Sequence, residues 1–486
     1  MVSPSRGVSA APPKPLLLLA RVLLLLVPLA MFAAPREAHA YTWMIKHGYA
    51  TCGACHTDPS GGELLTFYGR VLSGEVLSTH WGEAEQTARG HARPTRFAAD
   101  PTRFAARAKL ADKEGDAEAS EGEEAAPAEA NEGSADASAD AATSENAEAP
   151  AAAAETPTDI TPFMFGLFGL PDWLQLGGSY RHLNVITPTS DSKFATFPMM
   201  MDLYGQAQFG SFKIGGSIGG ARVAAGSPYA RPAQVTGNQG KDWNLISRTH
   251  YVGYDITGEL QVRGGRLNLP FGVRIPEHVM WVRQATRTDR ESAQQHGVSI
   301  NYTVEKARVE VMGIAGNYQI NPDKYRERGY AGYFEYFPTP EMSVGVSSLV
   351  TVAKDDRLLL EGKSMTRMAH GAMFRTAMGS KTVFVAEIDG LFRSRHEAGY
   401  VGFAQLDVEP TQGLHFMLTG EMLDEGHAKA IPGVAATPRT AGSGKPKVGG
   451  WLSAAWWFLP HFDVRIDGVQ RTGEDLQVLA QLHVYL

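Results

Sequence analysis

The chain has 486 residues, a formal net charge of −7 and only two cysteines. No nucleic-acid partner is expected, although the net charge, owed largely to one acidic stretch, itself says little about partners. Two cysteines exclude a disulfide framework and leave one pair at most.

Residues 1–40 read as a secretory signal peptide: Arg6 and Lys14 supply a positive start, "PLLLLARVLLLLVPLAMFAA" the apolar run, and "AHA" at Ala38–Ala40 a small-residue cleavage site. Arg21 interrupts the run and argues against a permanent helical anchor. The mature chain then begins at Tyr41, in an oxidising compartment where a reactive dithiol is not left bare.

"YATCGACHTDPSGGELLTFYGR", from Tyr49 to Arg70, holds both cysteines. A disulfide between Cys52 and Cys55 is the plain reading. A thioredoxin-like pair needs a βαβ context, and none follows. A zinc site needs four ligands, and the second pair is missing. C-x-x-C-H is also the attachment signature of c-type haem. One covalent haem c would join Cys52 and Cys55 through its vinyl groups, with His56 as the proximal iron ligand. For the distal position Met44, His47, His80 and His91 are candidates. His47 leads, because Lys46-His47-Gly48 lies on the same short segment. The cytochrome segment is assigned to 41–92, its compact part ending near Trp81. A unit of roughly 40 residues rarely builds a sufficient core alone, so cover is expected from elsewhere.

Residues 93–160 read as a linker. "PTRFAAD" (Pro94–Asp100) is followed at once by "PTRFAAR" (Pro101–Arg107), and Arg89–Lys109 is basic. Asp112–Asp159 carries about fifteen acidic residues and almost nothing bulky, too little apolar area to offset the entropy of ordering.

Residues 161–486 change texture. No apolar run reaches helix-spanning length. In "KARVEV", Ala307, Val309 and Val311 alternate with Lys306, Arg308 and Glu310. "EMSVGVSSLVTV" and "HFDVRID" repeat the period of two. About sixteen strands are expected, starting near 173, 197, 211, 244, 258, 296, 306, 327, 341, 364, 381, 398, 412, 446, 461 and 475. Short links near Ser211, Thr257, Glu305, Thr339, Gly379, Thr411 and Pro460 alternate with long ones. That alternation marks an all-β, antiparallel outer-membrane barrel, with both barrel ends on the periplasmic side. "DLQVLAQLHVYL" suits a closing strand. Trp456, Trp457 and Phe458, with Tyr333, Phe334, Tyr336 and Phe337, suit an interfacial girdle. A soluble β-sandwich or propeller is the alternative, and no repeat of propeller length supports the latter.

An exported monohaem C-x-x-C-H segment followed by one barrel resembles the fused monohaem cytochrome–porin family, whose members include outer-membrane iron-oxidising cytochromes. In motif the resemblance is confined to "CGACHTDPSGGELLTFYGR", where a Leu-Thr-x-x-Gly-Arg turn follows the haem site. It implies covalent haem on Cys52 and Cys55, iron ligation by His56, and a cytochrome seated in or at the lumen. The long acidic linker departs from the family pattern. The implied function is electron transfer across the outer membrane between an extracellular donor, with ferrous iron as one candidate, and a periplasmic carrier. The implied partners are outer-membrane lipid, that carrier and an extracellular metal donor. Two other classes compete: a porin or solute channel with a tethered haem plug or sensor, and a haem enzyme such as a peroxidase. The enzyme needs an open coordination site and nearby acid–base groups, which the short segment does not clearly supply.

"PFGVRIPEHVMWVRQATRTDRES" (Pro270–Ser292) is a long arginine-rich link. It reads equally as a constricting loop folded inward or as a solvated extracellular loop. Glu277, His278 and Asp289 could face a cationic donor, though their arginine neighbours oppose it. Met199–Met201 could suggest soft metal binding, but a plain strand segment suits them better.

Overall fold

The computed structural model describes residues 42–47, 52–59, 61–79, 160–164, 167–189, 193–222, 233–236, 243–277, 279–289, 293–317, 325–356, 362–427 and 445–486. The expected signal peptide, the expected linker up to residue 159, His80, His91 and His278 lie outside them.

Two short strands, β1 (Ile160–Phe163) and β2 (Phe168–Pro171), form a hairpin of their own. The barrel wall begins at Leu174 rather than at residue 161. It runs through β3 (Leu174–Thr187), β4 (Lys193–Phe209), β5 (Phe212–Arg222), β6 (Trp243–Ile246), β7 (His250–Asp255), β8 (Leu260–Leu267), β9 (Gln295–Val304) and β10 (Ala307–Gly316). It continues through β11 (Arg328–Thr339), β12 (Met342–Ala353), β13 (Met365–Met378), β14 (Thr382–Arg393), β15 (Gly399–Thr411) and β16 (Leu414–Asp424). The last strands are β17 (Lys447–Leu459), β18 (Phe462–Arg471) and β19 (Gln477–Tyr485). Neighbours pair antiparallel, and β19 closes on β3 with Val478 opposite Ile186 and Tyr485 opposite Ser179. Both β6 and β7 pair with β5, so they are two pieces of one strand, and the closed barrel has sixteen. The break has a local cause. Arg248 turns out of the ladder to place its Nε 2.6 Å from Asp202, while Ser217 Oγ accepts from the N–H groups of Arg248 and Thr249. Such an irregularity re-aims a side chain at the expense of one step of pairing.

Most strands start within two residues of the sequence expectation; β4 begins four residues early, at Lys193. The expected short links are all present, each joining two strands at one end of the barrel. The chain enters and closes the barrel at that same end, where Leu486 N donates to Gly178 O at 2.9 Å.

The polarity is the reverse of a water-soluble protein. On β10, Arg308 and Glu310 point inward, at 3% and 0% exposure, while Val311 points outward at 50%. On β12, Ser343, Ser347 and Thr351 face inward, and Val344, Val346 and Val352 face out. Leu203, Leu418 and Leu452 are more than half exposed on the outer face. A closed sheet with an apolar outside and a charged inside is a membrane-spanning barrel of outer-membrane type, which sets aside the sandwich and the propeller. The aromatic pairs split between the faces. Trp456, Phe334 and Tyr336 face outward as a girdle would, but Trp457, Tyr333 and Phe337 are buried in the lumen, because adjacent strand residues point to opposite faces.

Leu418 lies near the middle of β16 on the outer face. Leu418→Arg is expected to lower barrel stability by about 2–4 kcal/mol, measured by urea titration of folding into lipid vesicles. An unchanged midpoint would mean that this face does not meet lipid.

Candidate functional site

The N-terminal segment packs inside the barrel wall. A 3₁₀ turn at Cys52–Ala54 sets the motif: Cys55 N and His56 N both donate to Cys52 O, at 3.2 and 3.0 Å. His56 then bridges to Leu65, and Thr57 N donates to Leu64 O at 3.0 Å. The connecting turn passes through left-handed residues at Gly61, Gly62 and Glu63. Helix α1 (Phe67–Leu72) follows. Thr66 caps it, its Oγ1 accepting from Gly69 N at 3.0 Å, while Thr66 N donates to Cys55 O at 2.9 Å. A Cβ on Gly69 would lie 2.3 Å from Cys55 O, so only glycine lets α1 rest on the thiol turn. Arg70 donates to Leu176 O on β3. The Leu-Thr-x-x-Gly-Arg stretch thus caps the helix, packs it on the motif and ties it to the wall.

Charged contacts anchor the rest. Asp58 accepts from Arg263 Nη1 and Asn268 Nδ2, both at 2.9 Å, and Arg263 Nη2 reaches Glu310 at 2.8 Å. Lys46 Nζ lies 2.7 Å from Glu409. His47 Nε2 lies 3.2 Å from the same carboxylate. Trp43 packs against His415 and Trp457, with ring centres 4.1 and 5.4 Å away. At the short-turn end, Ser73 Oγ bonds to the Tyr485 hydroxyl at 2.8 Å, and Thr79 N donates to Trp457 O at 2.9 Å.

Cys52, Cys55 and His56 line one cavity of about 1650 Å³, a volume that includes space open to solvent. Met44, Leu65, Leu72, Leu77 and Met373 give it apolar walls. Both thiols are free, so no disulfide joins them. Burial, and then the neighbouring Cys52, push the Cys55 thiol up to about 12. It is therefore held as a thiol at neutral pH and is a poor zinc ligand or redox nucleophile. Among the described residues no three His, Cys, Asp or Glu side chains gather as a metal site. The lining also carries arginines. Arg248, Arg283 and Arg375 pair with Asp202, Glu387 and Glu335. Arg181 and Arg308 meet no carboxylate among the described residues, and the Nε of each is buried without a hydrogen-bond partner. A cavity with apolar walls, two thiols, an imidazole and guanidinium groups without a direct carboxylate partner suits a flat, apolar macrocycle bearing acid groups.

The distal candidates separate. His47 does not line the cavity; it is turned toward Glu409, whereas Met44, three residues earlier, does line it. His483 also lines it, but its nitrogens are taken up by Asp463 at 2.8 Å and Ser179 at 3.0 Å. Met200 lines it with its sulfur accepting from the Tyr204 hydroxyl at 3.6 Å. The sequence reading missed the wall residues Arg181, Arg308 and Met373. Alternation had placed Arg308 on the charged face, but only closure of the barrel shows which wall it meets.

The link between β8 and β9 folds into the lumen. It contains helix α2 (Trp281–Thr286), whose Trp281 N donates to Glu421 at 3.0 Å. Val273 N and Arg283 both bond to Glu387. Glu277 pairs with Arg465 at 2.6 Å and Arg287 with Asp356 at 2.8 Å. Of its two readings, the inward fold is the one observed.

No protein-family profile matches the sequence, and no curated protein does. Among solved structures, the chain is similar to the outer membrane channel DcaP of Acinetobacter baumannii, at 13% identity over 64% of this chain and 97% of that one, with a TM-score of 0.45. It is also similar to Salmonella typhi OmpF in complex with daunomycin (14%, 64% and 97%, 0.45). Pseudomonas putida OprB gives 11% identity over 65% of this chain and 94% of that chain, at 0.46.

Two outcomes are expected from this geometry. Gly69→Ala drives a methyl into Cys55 backbone and should destabilise the segment by about 1–3 kcal/mol, seen as faster proteolysis of residues 42–79 in a folded barrel. Wild-type protection would show that the close approach is not needed. His461, in the turn between β17 and β18, donates its N–H to Ser73 Oγ at 3.3 Å. Burial, with Arg70 nearby, lowers its pKa from 6.5 to about 4. The folded state thus binds fewer protons than the unfolded state between these values, so stability is present above pH 6.5 and is lost as pH falls toward 4. Protection of the segment should fall over that window, and His461→Gln should flatten the fall. The same slope in the variant would remove His461 as its source.

Proposed function

We propose that Cys52 and Cys55 hold one covalent haem c inside the barrel, with His56 as proximal ligand. On this reading the chain carries electrons across the outer membrane between an extracellular donor and a periplasmic carrier. The observation that carries the proposal is the meeting of two free thiols and the adjacent histidine on one apolar cavity inside the barrel wall. When bound, haem supplies one-electron redox chemistry within a range set by its ligands and burial. The chain's own residues do the rest. The 3₁₀ turn aims both sulfurs and His56 together. Leu65, Leu72, Leu77 and Met373 exclude water. Met44 is the distal residue best placed on this cavity, in preference to His47. Arg181 offers its charge to acid groups. Residues 73–79 hold the segment at the periplasmic mouth, facing a soluble carrier. Extracellular metal donors would approach from the other side, past the inward loop.

Proteoliposomes test it. With an impermeant reductant outside and a soluble cytochrome inside, the intact protein should pass electrons, and the Cys52→Ser/Cys55→Ser double variant should not. Passage in the double variant, or none in haem-loaded wild type, would remove the conduit. A solute channel with an inserted plug is the second reading, favoured by the sixteen-strand wall and its charged lumen. Steady ionic conductance of the full chain in planar bilayers, at porin levels, would select it.

A further inference from the structure

Arg308 stands on β10, 3% exposed, and lines the cavity. Its Nη1 lies 3.5 Å from Cys52 Sγ. Its guanidinium carbon lies 4.8 Å from the centre of the Tyr333 ring. Arginine keeps its charge in proteins, and a buried charge normally meets an opposite one. Two acids face the lumen from its own and the adjacent strand, and each is paired with another arginine, although Glu310 Oε2 has no hydrogen-bond partner among the described residues. Glu310 is held by Arg263 at 2.8 Å and by Ser299 at 2.5 Å. Glu335 is held by Arg375 at 2.6 Å and by Ser343 at 2.7 Å. Nε has no hydrogen-bond partner among the described residues. The wall therefore keeps a positive charge directly against one of the two attachment sulfurs, on the side away from water. Packing alone does not call for this, since a methionine or leucine would fill the space without the desolvation penalty.

We propose that Arg308 is a tuning residue that holds the reduction potential of the haem site up. The inference rests on the haem reading above. Reduction adds one electron from the external reductant and lowers the charge beside Arg308 by one. A fixed cation in a low-dielectric site therefore favours the reduced state. The Cys52 sulfur would be a haem thioether and not an iron ligand, so Arg308 acts on the site through its charge. A site poised this way accepts electrons from external donors more readily than it exports them.

The test is potentiometric titration of the purified full chain, followed optically. Arg308→Gln should leave one haem per chain and the same low-spin spectrum but shift the midpoint to more negative potential. Arg308→Lys, which keeps the charge, should lie between Arg308→Gln and wild type. If Arg308→Gln does not fold, Glu335→Gln carries the test: it removes the acid on the same wall and should shift the midpoint positive. An unmoved or raised midpoint in Arg308→Gln, or an unmoved or lowered one in Glu335→Gln, overturns the inference alone. Wild-type protein with no covalent haem overturns the haem reading beneath it.

Discussion

Arg263 sits in the barrel wall at 2% exposure, with one guanidinium nitrogen on Asp58 of the N-terminal segment and the other on Glu310 of β10. Other charges in the lumen follow the same constraint, with Arg181 and Arg308 as exceptions: charge taken out of water needs a partner. A barrel that faces lipid must put its polar side chains inside, and a lumen filled with protein leaves them little water. Inserted segments then serve as counter-charges. Asp58, Glu63 and Lys46 come from the N-terminal segment; Glu277, Arg283 and Arg287 come from the inward loop. Removing one partner from such a pair typically costs about 3–5 kcal/mol, so the wall and its contents specify one another.

The two inserted pieces divide the lumen. The N-terminal segment binds wall residues near the short turns, through Glu409, Tyr485 and Trp457. The loop binds farther along, through Glu387 and Glu421. Between them lies the cavity with the thiols. A segment of this size has too little core to shelter a cofactor alone; here the barrel's inner face completes the walls, with Met373 and Tyr333 contributed by strands.

The strands were legible because period-two alternation is written along the chain and needs no distant partner. The exceptions are informative. The break between β6 and β7 depends on Asp202, 46 positions away, drawing Arg248 out of line. The start at Leu174 depends on pairing with β4, where Leu174 faces Ala207, since the last strand pairs with β3 only from Ser179 on. Trp457 and Tyr333 looked like girdle residues from composition, but parity along the strand sends them inward. The C-x-x-C-H motif was legible as local chemistry. What faces it was not, because Arg308, Met373 and Arg181 reach the cavity only through closure of the sheet. His47 led the distal candidates because Lys46-His47-Gly48 lies on the same short segment; its ring also lies 3.2 Å from Glu409, a neighbour that the sequence does not reveal. The inward loop was ambiguous for the same reason, its partners Asp356, Glu387, Glu421 and Arg465 lying far along the chain.

The central claim is that the thiol cavity within this barrel carries a covalent haem. The most direct measurement is the pyridine haemochrome of the full chain, made in a host that matures c-type cytochromes and purified as a heat-modifiable, folded barrel. The account predicts one haem c per chain and, in the untreated protein, a six-coordinate low-spin spectrum. A folded barrel that carries no covalent haem would contradict it.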